Sequence, residues 1–137
     1  MKIKLDTGAF LPVREHDTDA GLDIRSREMK IVPSMGSAVF HTGVHVEIPH
    51  GYAGILISKS GLNVIHDITS TGLIDEGYTG EIIVKLVNHG QSSYLVSKGD
   101  KISQLVLVPV SYEPVNIVDV IKTETARGEN GLGSTGK

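Results

Sequence analysis

Short apolar or alternating segments recur along the chain and are separated by glycine and proline, which is the pattern of β-strands joined by turns. Within residues 44–48 apolar and polar side chains alternate strictly, so we expect one buried face and one wet face. Residues 105–108 are continuously apolar, as in a strand covered on both faces. Residues 58–64 fit a turn or two of helix. The segments that fit a strand are 3–5, 38–48, 52–57, 81–87, 102–110 and 115–121.

The composition favours strands as well. Valine, isoleucine and threonine account for 38 of the 137 residues, whereas alanine accounts for only 5. Side chains that branch at Cβ favour pleated strands over helices, and scarce alanine points the same way. A chain of this length fits one domain. Many short strands in a single domain predict an all-β sandwich, jelly roll or barrel.

Charge and cysteine content exclude several kinds of partner and site. The formal net charge is −3, so the chain lacks the basic character by which proteins grip a nucleic-acid backbone. The absence of cysteine excludes disulfides, thiolate zinc sites and thiol nucleophiles. No apolar run is long enough to span a membrane, and the first residues lead into a strand-like segment. We therefore expect a soluble, intracellular protein that contacts neither nucleic acid nor membrane directly. The location that we expect within the cell is the cytoplasm, or the host cytoplasm if the source is a virus.

The last residues form a polar, glycine-rich tail. Residues 131–137 match G-x-G-x-x-G and most of a P-loop pattern. Both motifs require a strand before and a helix after, and the sequence ends at Lys137 without such a helix. We therefore expect neither a dinucleotide-binding fold nor a P-loop NTPase. Small residues still allow backbone N–H groups to converge on an anion, with hydroxyls from Ser134 and Thr135 and a guanidinium from Arg127. Residues 122–137 are thus either an idle terminus or a flap that orders over a ligand.

Three further clusters each allow a structural and a chemical interpretation. Residues 17–23 carry three carboxylates, which either bind Mg²⁺ or Ca²⁺ or simply form a solvated acidic turn. Residues 58–61 form a small, basic, hydroxyl-bearing turn that suits phosphate oxygens or an ordinary surface. Residues 71–80 fit a glycine-rich hairpin connection, in which Asp75 would be held as a general base for water. The residues alone leave these alternatives open.

Five segments of the chain, taken in order, resemble the five motifs of the trimeric dUTPases. They are residues 20–23 (AGLD), 58–61 (SKSG), 72–78 (GLIDEGY), 99–105 (GDKISQL) and 127–136 (RGENGLGSTG). A single tetrapeptide of this kind would be unspecific, but five in the family's order, ending in a glycine-rich tail, are highly specific.

The resemblance implies a distorted, jelly-roll-like β-barrel subunit in residues 1–121, assembled into a homotrimer, and a flexible tail in residues 122–137 that closes over the active site. Each site would borrow segments from more than one subunit. The implied reaction is hydrolysis of dUTP to dUMP and pyrophosphate by water attack on the α-phosphate, with Mg²⁺ as the cofactor. Such an enzyme limits uracil in DNA and supplies dUMP for dTTP synthesis.

For catalysis, the resemblance assigns Asp75 as the carboxylate that orients and deprotonates water, and Gln104 as a contact of the α- and β-phosphates. Asp23 would organise the water shell of Mg²⁺, which is held mainly by the triphosphate and by no protein ligand directly. Metal and hydrogen-bond donors would stabilise the charge that develops on the phosphate oxygens.

For substrate binding, the resemblance places uracil in the hairpin and the sugar against Tyr78, whose ring leaves no room for a 2′-hydroxyl. The narrow hairpin would exclude the 5-methyl group of thymine by its shape. It would reject cytosine because the 4-amino group presents a donor where O4 of uracil accepts, which leaves buried partners unpaired. The hairpin positions are Thr69, Gly72, Leu73, Ile74 and Ile83. The α- and β-phosphate contacts are Lys59, Ser60 and Gly61. The tail contributes Arg127, Gly133, Ser134 and Thr135 around the γ-phosphate, and Leu132 over the base.

Two other functions fit parts of the sequence. A deoxycytidine triphosphate deaminase, or its bifunctional relative, shares the implied fold but lacks the complete tail motif and the pattern from Asp75 to Tyr78. Ammonia release from dCTP would identify it. A nucleotide-binding regulatory protein, with a protein partner if the source is a phage, would be favoured by loss of Asp75 or Arg127, and both are present.

Two positions depart from the usual family motifs. Leu132 stands where an aromatic residue usually covers the base. Lys59 stands where arginine is usual, and it keeps the charge but lacks the bidentate fork. Both changes concern phosphate binding and closure of the tail over the nucleotide.

We predict that Leu132→Phe lowers the KM for dUTP or raises kcat, because stacking of a base on an aromatic ring is worth about 1–3 kcal/mol. Steady-state kinetics of pyrophosphate release by the variant and the wild type measure this. No gain in either constant would contradict a role for this position in closure over the base.

Overall fold

The structure, a computed structural model, describes residues 1–121 and 125–131. Within these ranges the chain forms ten β-strands and one short helix. In chain order the elements are β1 Lys2–Leu5, β2 Gly21–Arg25, β3 Lys30–Val32, β4 Ser37–Glu47, β5 Tyr52–Ile57, α1 Ser60–His66, β6 Ile68–Thr69, β7 Thr71–Ile74, β8 Glu81–Asn88, β9 Tyr94–Val96 and β10 Lys101–Pro109. No helix in these ranges is long and apolar enough to cross a membrane.

The strands form two four-stranded antiparallel sheets and one two-stranded sheet. The strand order is β1-β4-β8-β6 in the first sheet, β2-β10-β5-β7 in the second and β3-β9 in the third. Alternate side chains of β8, including Ile82 and Val84, are buried in one cluster with Phe40 of the first sheet and with Leu56 and Leu105 of the second. Burial of apolar area between the two larger sheets is what stabilises this arrangement. The all-β, jelly-roll-like fold is therefore confirmed.

Most of the predicted elements are present. Five of the six predicted strand segments are strands, with ends that differ by one residue at most from those expected. The alternation in residues 44–48 is confirmed, because Val44, Val46 and Ile48 are buried and the two side chains between them are not. The predicted helical turn is α1, which begins shortly after β5 ends.

The prediction that residues 105–108 are covered on both faces is wrong for the single chain. β10 is a central strand, and Leu105 on its inner face is buried. On the outer face, Val106 and its cross-strand neighbour Ile55 are only half-buried, and Leu73 beyond them is exposed. We call Val106, Ile55 and Leu73 the apolar outer face of the second sheet.

The prediction of a strand at residues 115–121 is also wrong within the described chain. Val115 is 95% exposed and Ile117 is 100% exposed, and the segment pairs with no described strand. A β-branched segment becomes a strand only where a neighbouring strand supplies the ladder hydrogen bonds and a surface to pack on. Here the chain leaves β10 without meeting such a neighbour, so the segment lies exposed and apolar.

Candidate active site

Three strands of the second sheet bring together groups from distant parts of the chain. Asp23 on β2 lies opposite Gln104 on β10, and Gln104 lies opposite Ile57 at the end of β5. β5 leads directly into Lys59 and the first turn of α1. The side chain of Gln104 covers Gly21, where an added Cβ would lie 2.7 Å from Gln104 Oε1. Glycine at this position therefore allows the amide to lie flat on β2.

Asp23 is the buried charge at the centre of this cluster. It is 4% exposed, and its two carboxylate oxygens are bound by Lys59 Nζ at 2.6 Å and Lys101 Nζ at 2.8 Å. Burial alone would raise the pKa of Asp23, but the hydrogen bonds from Lys101 and Lys59 outweigh it and hold the pKa below its ordinary value. The carboxylate is thus ionised at neutral pH.

Sequence reasoning missed Lys101. Its Nζ also lies 2.7 Å from Glu15 Oε2, and the bonds to Asp23 and then to Glu15 raise the pKa of the lysine. A β-bulge between Lys101 and Ser103 interrupts the alternation of β10, so Lys101 comes to face Asp23. The only signal in the sequence is that the lysine lies within residues 99–105, and strict alternation would have turned it to the other face.

The three carboxylates of residues 17–23 do not converge. Both oxygens of Asp23 are held by lysines, whereas Asp19 accepts the backbone N–H of His16 at 3.0 Å. Asp17 is exposed. Nowhere in residues 1–121 and 125–131 do three His, Asp or Glu side chains form a group that could hold a metal ion. With both oxygens bound to ammonium groups, Asp23 is not free to ligate a metal ion directly.

The strands on either side of the turn at residues 75–80 do not pair with each other. β7 pairs with β5 in the second sheet, whereas β8 pairs with β4 and β6 in the first. The prediction that residues 71–80 form a simple hairpin connection is therefore wrong, because the turn joins the two sheets. The edge of β7 that faces away from β5 has no strand partner among the described residues. Its N–H and C=O groups are available to a ligand.

Asp75 and Tyr78 lie on this turn. The side chain of Asp75 is exposed, and its carbonyl accepts the N–H of Tyr78 at 3.1 Å. Tyr78 Oη donates to the carbonyl of Glu81 at 2.9 Å, and the ring lies directly against Gly80, where any side chain would clash. The turn therefore holds the phenol ring in one orientation and leaves the carboxylate open to solvent.

The other predicted hairpin residues are distributed over β6, β7 and β8. Leu73 and Ile83 are 61% and 45% exposed, so their side chains can contact a ligand. Ile74 is buried in the core, and therefore only its main chain is available. Thr69 Oγ1 lies 2.8 Å from His89 Nε2. Gly72 packs on Leu56, since a Cβ there would come within 3.1 Å of Leu56 Cδ1.

Asp75 lies far from Gln104 in the same chain. Ile74, which precedes Asp75, pairs with Gly54, whereas Gln104 pairs with Ile57. Four residues along the strands and two strand spacings across them amount to about 16 Å, at about 3.3 Å per residue and about 4.8 Å per strand. The side chain of Gln104 extends over β2, away from β7. One chain therefore does not place Asp75 and Gln104 around the same phosphate.

The remaining predicted residues are at the start of α1 and in the tail. Ser60 and Gly61 are exposed in the first turn of α1, and a Cβ on Gly61 would meet no atom within 4 Å. Arg127 Nε donates to the carbonyl of Asn130 at 3.1 Å in a local turn. The predicted contacts Leu132, Gly133, Ser134 and Thr135 lie outside the described residues.

We predict that Asp23→Asn lowers the melting temperature, because the ion pairs with the two lysines are lost. The ordinary pKa of the carboxyl is 3.8, and the difference in melting temperature from wild type is expected to be largest above this pH and to shrink as the pH falls below it. A carboxyl whose folded pKa is lowered stabilises the fold while ionised and loses that contribution as it is protonated. Melting curves from neutral to strongly acidic pH measure this, with Asp17→Asn as the control for an exposed carboxylate. A difference that stays constant with pH would contradict the ion pairs.

The sequence is similar to those of known proteins. A family model described as dUTPase matches residues 8–136. The deoxyuridine 5′-triphosphate nucleotidohydrolase of Crocosphaera subtropica is 42% identical, over 98% of this chain and 96% of the relative. That of Clostridium kluyveri is also 42% identical, over 97% of this chain and 94% of the relative.

The fold is also similar to those of solved structures. The dUTPase of Staphylococcus bacteriophage 80alpha with dUPNHPP is 33% identical and has a TM-score of 0.94, over 99% of this chain and 98% of that chain. A mutant dUTPase of phage phi11 of S. aureus, described with the coordination of a structural Mg(II) ion, is 31% identical with a TM-score of 0.81, over 87% of this chain and 96% of that chain. The chain therefore belongs to the dUTPase family.

Proposed function

We propose that this chain hydrolyses dUTP to dUMP and pyrophosphate, and that it thereby limits uracil in DNA and supplies dUMP for dTTP synthesis in the cytoplasm of a cell or of a phage's host. The observation that carries the proposal is the position of Asp75, an exposed carboxylate on a turn between strands that belong to different sheets. The relatives that are 42% identical and named deoxyuridine 5′-triphosphate nucleotidohydrolase support it.

The base binds beside β7, where main-chain groups lack a strand partner among the described residues. Uracil presents a fixed set of donors and acceptors to such an edge, and a cytosine amino group would leave buried partners unpaired. Leu73 and Ile83 supply apolar contacts, while Thr69, Gly72 and Ile74 shape the cleft. The rigidly held ring of Tyr78 lies under the sugar and excludes a 2′-hydroxyl.

Asp75 acts as the general base in this proposal. It accepts a proton from water while the water oxygen attacks the α-phosphorus, and the bond to the bridging oxygen of the β-phosphate breaks, releasing pyrophosphate with the bonding electrons. The exposure of the carboxylate supports this role, because a water molecule can reach it from solvent. The turn that carries Asp75 determines where that water lies.

The phosphates bind at the other end of the second sheet, which in this proposal belongs to a neighbouring subunit. Lys59, Ser60, Gly61 and Gln104 contact the α- and β-phosphates. Arg127, Gly133, Ser134 and Thr135 enclose the γ-phosphate when residues 122–137 close, and Leu132 covers the base. Asp23, with both oxygens bound to lysines, would hold a hydrated Mg²⁺ through water. When bound to the triphosphate, Mg²⁺ neutralises charge on the phosphate oxygens.

The active enzyme is a homotrimer with shared sites in this proposal. The separation of about 16 Å between Asp75 and Gln104, estimated from strand geometry, supports it, because both groups must reach one phosphate. The apolar outer face of the second sheet and the exposed apolar residues of 115–121 also favour association with further copies.

A regulatory protein partner is the second candidate function. The favouring observation is the similarity in fold to phage 80alpha dUTPase, described in the words "phage dUTPases control transfer of virulence genes". If this chain is phage-derived, dUTP binding without hydrolysis would favour such a role over catalysis.

We predict that the protein with Mg²⁺ releases pyrophosphate from dUTP and not from UTP, dTTP or dCTP, and that Asp75→Asn abolishes release because the base is lost. Glu47→Gln, which removes a surface carboxylate paired with Lys2, serves as the control and keeps wild-type activity. Activity that persists in Asp75→Asn would refute the assignment of the base. Ammonia release from dCTP would instead identify a deaminase.

We predict that mixing unfolded Asp75→Asn and Gln104→Ala subunits and refolding them together restores activity that neither has alone. If the two groups of one site come from different subunits, about a quarter of the sites in a random equal mixture carry both intact groups. The control mixes Asp75→Asn with the Asp75→Asn/Gln104→Ala double variant, in which no intact site forms. No recovery in the first mixture would rule out shared sites.

A further inference from the structure

Glu76, the residue that follows Asp75, is bound by two other segments of the fold. His50 Nδ1 lies 2.8 Å from Glu76 Oε1. The backbone N–H of Gly51 donates to Oε2 at 3.0 Å, and Tyr112 Oη donates to the same oxygen at 2.7 Å. One carboxylate therefore joins the turn that carries Asp75 to the connection between β4 and β5 and to the chain that follows β10.

The two segments that bind Glu76 are also bound to each other. The N–H of Val110 donates to the carbonyl of Gly51 at 2.9 Å, and the rings of His50 and Tyr112 stack with centroids 6.3 Å apart. The contacts with His50, Tyr112 and Gly51, in decreasing order, lower the pKa of Glu76 to about 2. The carboxylate is therefore ionised at neutral pH, and the network is fully formed.

The second half of the turn is held by other contacts, because Tyr78 Oη donates to the carbonyl of Glu81 at 2.9 Å and His45 Nδ1 lies 3.1 Å from the carbonyl oxygen of Thr79. The first half, residues 75–77, has few constraints besides Glu76. The internal bond of the turn runs from the N–H of Tyr78 to the carbonyl of Asp75. Gly77 has no neighbour within 4 Å of the position that a Cβ would occupy, and the side chain of Asp75 is exposed. Of residues 75–77, Glu76 is the one whose side chain forms a hydrogen bond to another element in the described part of the chain. The orientation of residues 75–77 thus depends on this carboxylate.

We propose that Glu76 is a positioning residue, which holds the turn so that Asp75 meets the attacking water in the correct geometry, and that Tyr112 and His50 support it. This inference rests on the proposed function of Asp75. Glu76 does not touch the reacting atoms, so its loss affects the chemical step and leaves nucleotide binding largely intact. A displacement of about 1 Å in such a group can cost roughly 100-fold in rate.

The test compares Glu76→Ala, Glu76→Gln and Tyr112→Phe with wild type, with Glu47→Ala as the control for loss of a surface glutamate. Glu76→Ala is expected to lower kcat about 10- to 100-fold, with KM for dUTP within about twofold. Glu76→Gln retains an acceptor oxygen for Gly51 and Tyr112 and is expected to recover most of kcat. Tyr112→Phe, which removes one of the three bonds, is expected to have an intermediate effect.

A second readout is independent of activity. Hydrogen exchange of a peptide spanning residues 75–80 is expected to accelerate in Glu76→Ala and to remain at the wild-type rate in Glu47→Ala. Unchanged exchange, or wild-type kcat in Glu76→Ala, would overturn the positioning role. Failure of the wild type to release pyrophosphate would refute the proposed function instead, and the exchange rate alone would then decide whether Glu76 anchors the turn.

Discussion

The register of β10 between β2 and β5 is the constraint on which the end of the candidate site around Asp23 and Gln104 depends. It is maintained from the inner face, where the buried hydroxyl of Ser103 donates to the carbonyl of Ile57 at 3.0 Å and lies 2.9 Å from Ser70 Oγ. A slip of one residue would turn Gln104 into the core and leave buried hydroxyls without partners. The apolar core and the polar site are therefore specified by the same strand pairing.

Electrostatics explains why a carboxylate is tolerated at such depth beside this strand. A buried charge is costly unless it is paired, and removal of one partner of a buried pair leaves an uncompensated charge. Asp23 has two cationic partners, and Lys101 is itself held by Glu15. Because Lys101 occupies one oxygen, Asp23 retains a cationic neighbour whichever way the side chain of Lys59 turns.

The other end of the site is built differently. β7 and β8 are consecutive in the chain but belong to different sheets, so the turn between them spans the gap between two layers. That arrangement leaves the main-chain edge of β7 open and makes the turn dependent on side-chain contacts such as those of Glu76. The turn is thus held in place by a few hydrogen bonds, next to the exposed carboxylate of Asp75.

The sequence by itself determined the strand content, most strand positions, the helical turn at α1 and the family motifs, because alternation, β-branching and glycine placement act through neighbouring residues. It did not reveal Lys101 or Glu76, whose partners are 78 residues away in Asp23 and 36 residues away in Tyr112. Nor did it show that the apolar residues of 115–121 lack a strand partner in the described chain, although their composition is that of a strand. Such outcomes depend on a β-bulge, on which strands become neighbours and on where a chain leaves its sheet, and these are decided by long-range packing that no local pattern contains.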